Sequence, residues 1–88
     1  MVKTDLPKWF DGHVGTESET VYNPYSGQKY KLNPKELAMY DYLIGLQRLI
    51  DIKGGVFDPR TFKWQKEMRK GLDWFRRANA EAYMVLLD

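Results

Sequence analysis

Residues 33–51 carry apolar side chains on two nearly opposite sides of one helix, and this constrains the fold more than any other feature. Asn33 is a favoured N-cap, Pro34 suits the first helical position, and Glu36 completes a capping-box pattern, so a helix is expected over 33–51. At about 100° per residue, Met39, Tyr42, Leu43, Leu46, Leu49 and Ile50 fall on one arc. Leu37, Tyr40 and Ile44 fall on the other side, among Asp41, Gln47, Arg48 and Asp51. A helix lying on a domain surface needs one apolar stripe, so a helix with two is expected to be sandwiched. The chain has 88 residues and no cysteine, so no disulfide can supplement a small core. A chain this short buries only about 60% of the surface its unfolded form exposes. The second stripe must therefore be covered by the rest of the chain or by a second copy.

The remaining segments arrange themselves around that helix. Residues 1–18 read as an arm, broken by Pro7, Gly12 and Gly15, with Leu6, Trp9 and Phe10 as its apolar anchors. Those two aromatics either tie the arm down or contact a partner. Residues 19–32 read as a β-hairpin: Asn23-Pro24-Tyr25-Ser26-Gly27 suits a type I turn closed by a glycine bulge, between two short β-prone runs. Gly54-Gly55 breaks the chain, and Asp58-Pro59 opens a second helix expected over 58–78, with Trp64, Met68, Gly71, Leu72, Phe75 and Ala78 on its apolar face. Gly71 on that face implies a close backbone approach. Residues 80–87, apolar nearly all round, are expected to form a short buried element. The pattern predicts one α+β domain, mainly helical, with the β-hairpin packed on two main helices and a short C-terminal element.

Charge supplies the sharpest chemical feature. Net charge is only +2, but residues 60–77 hold seven cations against Glu67 and Asp73. Lys63, Lys66, Lys70 and Arg77 cluster on one face of the second helix, with Trp74 at its edge. Cations beside an aromatic can grip phosphates and stack on a base. The same stripe can equally be a solvated face, with Asp73 pairing Arg69, Arg76 or Arg77 and Glu67 pairing Lys63, or a contact for an acidic protein.

Other chemistries find less support. No Gly-Lys-Ser/Thr follows Gly54-Gly55, and Asp58 would repel an anion there, so the glycines read as a turn. His13 is the one histidine and sits in the arm without a nucleophile motif. Asp5, Asp11, Glu17 and Glu19 lack calcium-loop spacing. No enzyme activity, cofactor or metal is expected. No apolar run approaches the ~20 residues of a membrane span, and the N-terminus has no signal-peptide pattern, so a cytoplasmic protein with no membrane partner is expected.

Three stretches resemble a group of small uncharacterised proteins of tailed bacteriophages, notably those of marine bacteria. They are Val21 with Asn23-Pro24-Tyr25-Ser26-Gly27 and Leu32; Glu36 with Met39-Tyr40-Asp41-Tyr42 and Gly45; and Gly71-Leu72-Asp73-Trp74-Phe75 with Asn79-Ala80-Glu81-Ala82-Tyr83. The resemblance spans about residues 9–88 and implies a viral accessory protein in a bacterial cytoplasm, with no assigned activity and no site residues. Two functions are expected from the residues. One is a noncatalytic interaction protein, a homo-oligomer or a binder of a host or phage protein, contacting through Leu37, Tyr40 and Ile44 with Trp9 and Phe10. The alternative is a nucleic-acid-binding accessory protein using Lys63, Lys66, Lys70, Trp74 and Arg77.

Overall fold

The computed structural model describes residues 6–10 and 12–87. Strands β1 (Glu19–Tyr22) and β2 (Lys29–Leu32) form an antiparallel hairpin in which Val21 faces Tyr30 and Tyr22 faces Lys29. Helix α1 (Pro34–Ile52) follows, then a 3-10 turn (Pro59–Thr61), α2 (Phe62–Ala78) and α3 (Ala80–Leu86). This is the expected α+β arrangement, with the hairpin packed against helices. No helix among the described residues is long and apolar enough to cross a membrane.

The capping box at the start of α1 is complete: Asn33 Oδ1 accepts from Glu36 N (2.8 Å), and Glu36 Oε1 accepts from Asn33 N (3.0 Å). The second carboxylate oxygen reaches across the fold and accepts from Asn79 Nδ2 at 3.0 Å. Asn79 separates α2 from α3 and caps the latter, its Oδ1 accepting from Ala82 N at 3.1 Å. The Tyr30 hydroxyl of β2 lies 3.4 Å from that same oxygen and 3.3 Å from Glu81 Oε1. Glu36, only 5% exposed, thus joins the caps of two helices where the hairpin meets them.

The α2–α3 break turns α3 back against α2 and β2, and the core forms where these meet α1. Leu32, Met39, Tyr40, Leu43, Phe75, Ala82 and Leu86 make one buried cluster. Gly71 sits where the long helices approach most closely; a Cβ there would lie 2.6 Å from Leu43 Cδ2 and 3.2 Å from Met39 Sδ. The close approach read from the position of Gly71 is made by the Leu43 and Met39 side chains of α1 and not by its backbone.

Three local expectations need correction. The hairpin loop is wider than a type I turn with a bulge: Asn23 N donates to Gln28 O (2.7 Å), and Gly27 N donates to Asn23 O (2.9 Å) with Gly27 at φ +78°. Asn23 drives this geometry, because its Oδ1 accepts from Tyr25 N while its Nδ2 donates to Val85 O at 2.9 Å and pins the loop to α3. The second helix does not begin as an α-helix at Asp58. Asp58 Oδ1 caps the segment by accepting from Arg60 N, and Thr61 N donates to Asp58 O, three residues back (2.9 Å), so the first turn is 3-10 before α2 starts at Phe62. Finally, the second stripe of α1 is covered largely within one chain. Tyr40 is 8% exposed, and Leu37 and Ile44 are partly buried against the core. Of the two covers that the stripes allowed, the rest of the chain is the one seen here.

Two variants test this account by urea denaturation. Glu36→Ala leaves the Asn33 and Asn79 donors without their acceptor, and is expected to cost about 2–4 kcal/mol, with Glu36→Gln costing less. Gly71→Ala gains up to about 1 kcal/mol of helix propensity but overpacks against Leu43 and Met39, which costs about 1–3 kcal/mol. A net loss near 1 kcal/mol is expected; a gain would show that α1 and α2 can move apart freely.

Candidate functional site

The surfaces singled out in the sequence fare unequally. Leu37, Tyr40 and Ile44 do not form a free patch with Trp9 and Phe10. Tyr40 turns into the core beneath α3 and β2, and burial, then the Asp41 carboxylate, raise its phenol above the ordinary value. Trp9 and Phe10 lie instead against Tyr42, on the opposite stripe, at centroid distances of 6.1 and 5.4 Å. The arm is held there by packing: Phe10 N donates to Pro7 O, and Lys70 Nζ stands 5.0 Å from the centre of the Trp9 ring. Sequence periodicity put Tyr42 on the correct arc but could not show that the arm would cover it.

The basic face of α2 divides in two. In its C-terminal half Asp73 pairs with both Arg77 (3.0 Å) and Arg76 (3.3 Å), one acid for two cations, and Arg69 has no ion pair among the described residues. Lys70 pairs with Glu67 at 3.2 Å, and Tyr42 donates to the other Glu67 oxygen at 3.2 Å. Glu67 is therefore unavailable to Lys63, the partner expected from their spacing. Lys63 and Lys66 have no ion pair among the described residues. Trp74 is half-buried, stacked edge-on against Phe75 at 6.2 Å. Lys63, Lys66, Lys70, Trp74 and Arg77 thus share a helix but differ in what they can offer, and of these five only the first two are cations without an acid among the described residues.

A third surface, which the sequence reading did not single out, is the connection between α1 and α2. Helix α1 ends in a Schellman motif: Gly55 N donates to Ile50 O (2.8 Å) and Gly54 N to Asp51 O (3.4 Å), with Gly54 and Gly55 at φ +118° and +88°. Fully buried Thr61 closes the loop from the other side. Its hydroxyl lies 2.8 Å from Asp58 O and 3.0 Å from Gly55 O. Gln65 Nε2 donates both to that hydroxyl (2.9 Å) and to Val56 O (2.8 Å). Arg60 grips the Asp58 carboxylate at 2.7 Å and reaches Lys53 O at 3.1 Å.

This tightly bonded loop holds its apolar side chains outward. Phe57 is 93% exposed and Ile52 76%, with Val56 and Phe62 about half exposed beside them in the chain. The sequence signal was present: three large apolar residues, Ile52, Val56 and Phe57, flank a glycine pair and follow no helical or strand period. Lys53 at the same end has no ion pair among the described residues.

His13 and the acidic residues Glu17 and Glu19 are exposed, and Asp5 and Asp11 lie outside the described residues. Among the described residues no three His, Cys, Asp or Glu side chains are grouped to hold a metal ion. Gly54-Gly55 forms a helix-ending turn, as expected.

The Asp58–Arg60 pair gives the loop a pH signature. Hydrogen bonds from the Arg60 side chain, then from its backbone N–H, lower the Asp58 carboxyl from 3.8 to about 2. A depressed carboxylate contributes stability that is complete above its unfolded value and is lost as pH falls through the folded one. Between pH 3.8 and about 2, the protection of the Gly55 and Thr61 amides, taken relative to intrinsic exchange at each pH, is expected to fall in the wild type. Asp58→Asn should be less protected at neutral pH and show little further change across that window. Comparison of the chain with protein-family models, curated proteins and solved structures yields no match.

Proposed function

We propose that the chain is a noncatalytic interaction protein whose contact element is the α1–α2 connection, with Phe57 as its anchor. The observation that carries this reading is the contrast within one loop. Its backbone and polar groups are bonded into a fixed shape, yet Phe57 is left 93% exposed. Burying a Phe side chain at an interface is worth about 1.5–3 kcal/mol, and a loop already ordered loses little entropy on binding. Aromatic anchors of this kind dominate the energetics of protein interfaces.

The carboxylates most open to catalytic interpretation are engaged in structural roles instead. Glu36 joins two caps, Glu67 serves Tyr42 and Lys70, Asp58 holds Arg60, and Asp73 holds Arg76 and Arg77. These engagements support a binding role over a catalytic one.

The partner in this reading is a protein with an apolar pocket and an acidic rim, complementary to Phe57, Ile52 and Lys53. Two copies meeting tip to tip would set Lys53 of each near its own image, and such like-charge juxtaposition opposes a symmetric homodimer through this element. The resemblance to phage proteins makes a host or phage protein in an infected bacterial cytoplasm the proposed setting.

Phe57→Ala is expected to leave urea stability within about 0.5 kcal/mol of wild type, since the side chain makes no core contact. It should also abolish retention of a partner that wild-type protein captures and that a Tyr25→Ala control retains. Equal capture by Phe57→Ala and wild type would refute the role of the loop. Sedimentation showing a wild-type dimer that Phe57→Ala dissolves would make a second copy the occupant instead.

A further inference from the structure

Trp9, Tyr42, Leu46, Lys63, Trp64 and Glu67 line an open cleft of about 430 Å³ along the seam between α1 and α2. The cleft has aromatic walls contributed by three separate elements: the arm, α1 and α2. Its polar groups are unevenly committed. Both Glu67 oxygens are engaged, by Tyr42 and Lys70. Lys63 and the indole N–H of Trp64 have no hydrogen-bond or ion-pair partner among the described residues, and the Trp64 ring makes no stacking contact with them. Trp9 and Tyr42 already pack on each other and on Phe10, so the groups left over are the Trp64 ring, the rims of the other two and the Lys63 and Trp64 donors. A ligand fitting them brings a planar ring and negative charge.

The placement of the lysines points the same way. Lys63 and Lys66 sit in and next to the first turn of α2, which has no acidic residue. Positive charge at a helix N-terminus opposes the helix dipole and costs stability, whereas acids are favoured there. A local rule broken without compensation inside the fold marks a position kept for something outside it. Lys63 lines the aromatic cleft and Lys66, one turn on, lines the adjoining hollow with Phe62, Gln65 and Arg69, a succession of cations that matches a polymer alternating planar bases with charged phosphates.

We propose that this cleft is a stacking site for one base of single-stranded nucleic acid, with Trp9, Tyr42 and Trp64 as its walls and Lys63 and Lys66 on the flanking phosphates. A base can enter only if it is unstacked and unpaired, so single strands are bound in preference to duplex. The site is independent of the Phe57 loop, and Phe57→Ala leaves it intact. It also departs from the basic stripe as a whole: Lys70 and Arg77 are held by acids, and the stacking residues are Trp9 and Trp64, with Trp74 taking no part.

The test is titration of the full chain with fluorescein-labelled oligo(dT) and oligo(rA), read by anisotropy and by tryptophan quenching. Binding is expected for both single strands, weaker for a duplex of the same length, and falling steeply with added salt. Lys63→Glu and Lys31→Glu change net charge equally, and both positions are exposed and lack ion pairs among the described residues. Lys63→Glu is expected to weaken binding by about tenfold or more, and Lys31→Glu by far less; equal losses would reduce the effect to general electrostatics and overturn the site. Trp64→Leu, with folding confirmed by circular dichroism, is expected to lose about tenfold as one stacking wall is removed. Absence of binding at low salt, or duplex bound as well as single strands, overturns the proposal. Lys63-dependent binding of an acidic, phenylalanine-containing peptide in place of either oligonucleotide would reassign the cleft to a protein ligand.

Discussion

The fold depends on what one carboxylate does at the junction of four elements. Glu36 is almost fully buried, a position in which an ionised side chain is costly unless its oxygens are hydrogen-bonded. Here one oxygen completes the cap of α1 and the other holds Asn79, which in turn caps α3. The carboxylate also lies in the first turn of α1, where the helix dipole favours negative charge. The end of the hairpin, the start of α1 and the break between α2 and α3 are thereby fixed to one another. Because the break is fixed, α3 packs on α2 and β2, and its Ala82 and Leu86 join Tyr40 and Leu43 in one buried cluster.

That closure makes the molecule unequal at its two ends. At the Glu36 end the hairpin, the helix caps and α3 bury the apolar surface. At the other end the α1–α2 connection has none of the described residues laid across Phe57, and its own hydrogen bonds do the work that packing does elsewhere. Thr61 and Gln65 satisfy the loop carbonyls from within, so the backbone needs no covering layer. A loop stabilised in this way can leave Phe57 and Ile52 in solvent without losing its shape.

Much of this was legible in the residues, and the illegible parts share a cause. Asn33-Pro34 with Glu36, Asp58-Pro59 and Gly54-Gly55 marked element ends because capping and turn chemistry are local. Gly71 announced a close approach because a glycine inside a helix costs stability, and on an apolar face that cost is offset when a neighbouring helix packs into the space a Cβ would fill. The fate of Tyr40 could not be read the same way. Whether the second stripe of α1 meets solvent, another copy or α3 depends on the direction in which residues 80–86 leave α2, and that direction is set by a contact between Glu36 and Asn79, 43 positions apart. The candidate surface shifted for the same reason. Trp74, adjacent to the cations on the helical wheel, packs on Phe75, while Trp9, distant in sequence, lies beneath Lys70.

The charge pattern of α2 then acquires a physical reading that its sum does not supply. Asp73 and Glu67 are spaced three or four residues from Arg76, Arg77 and Lys70, where pairing on a helix is most effective, and they quiet the stripe along its C-terminal half. Arg76 and Arg77 are also favoured there by the helix dipole, so folding alone accounts for their presence. Lys63 and Lys66 have neither a described acid nor the dipole to support them. A net of five positive charges spread over eighteen residues would suggest a diffuse basic face; pairing leaves Lys63, Lys66 and Arg69 without a described acid, and of these Lys63 lines the aromatic cleft. The connection and the start of α2 thus carry exposed apolar surface and unpaired charge that the Glu36 junction does not use, so contacts with other molecules can form there without disturbing it.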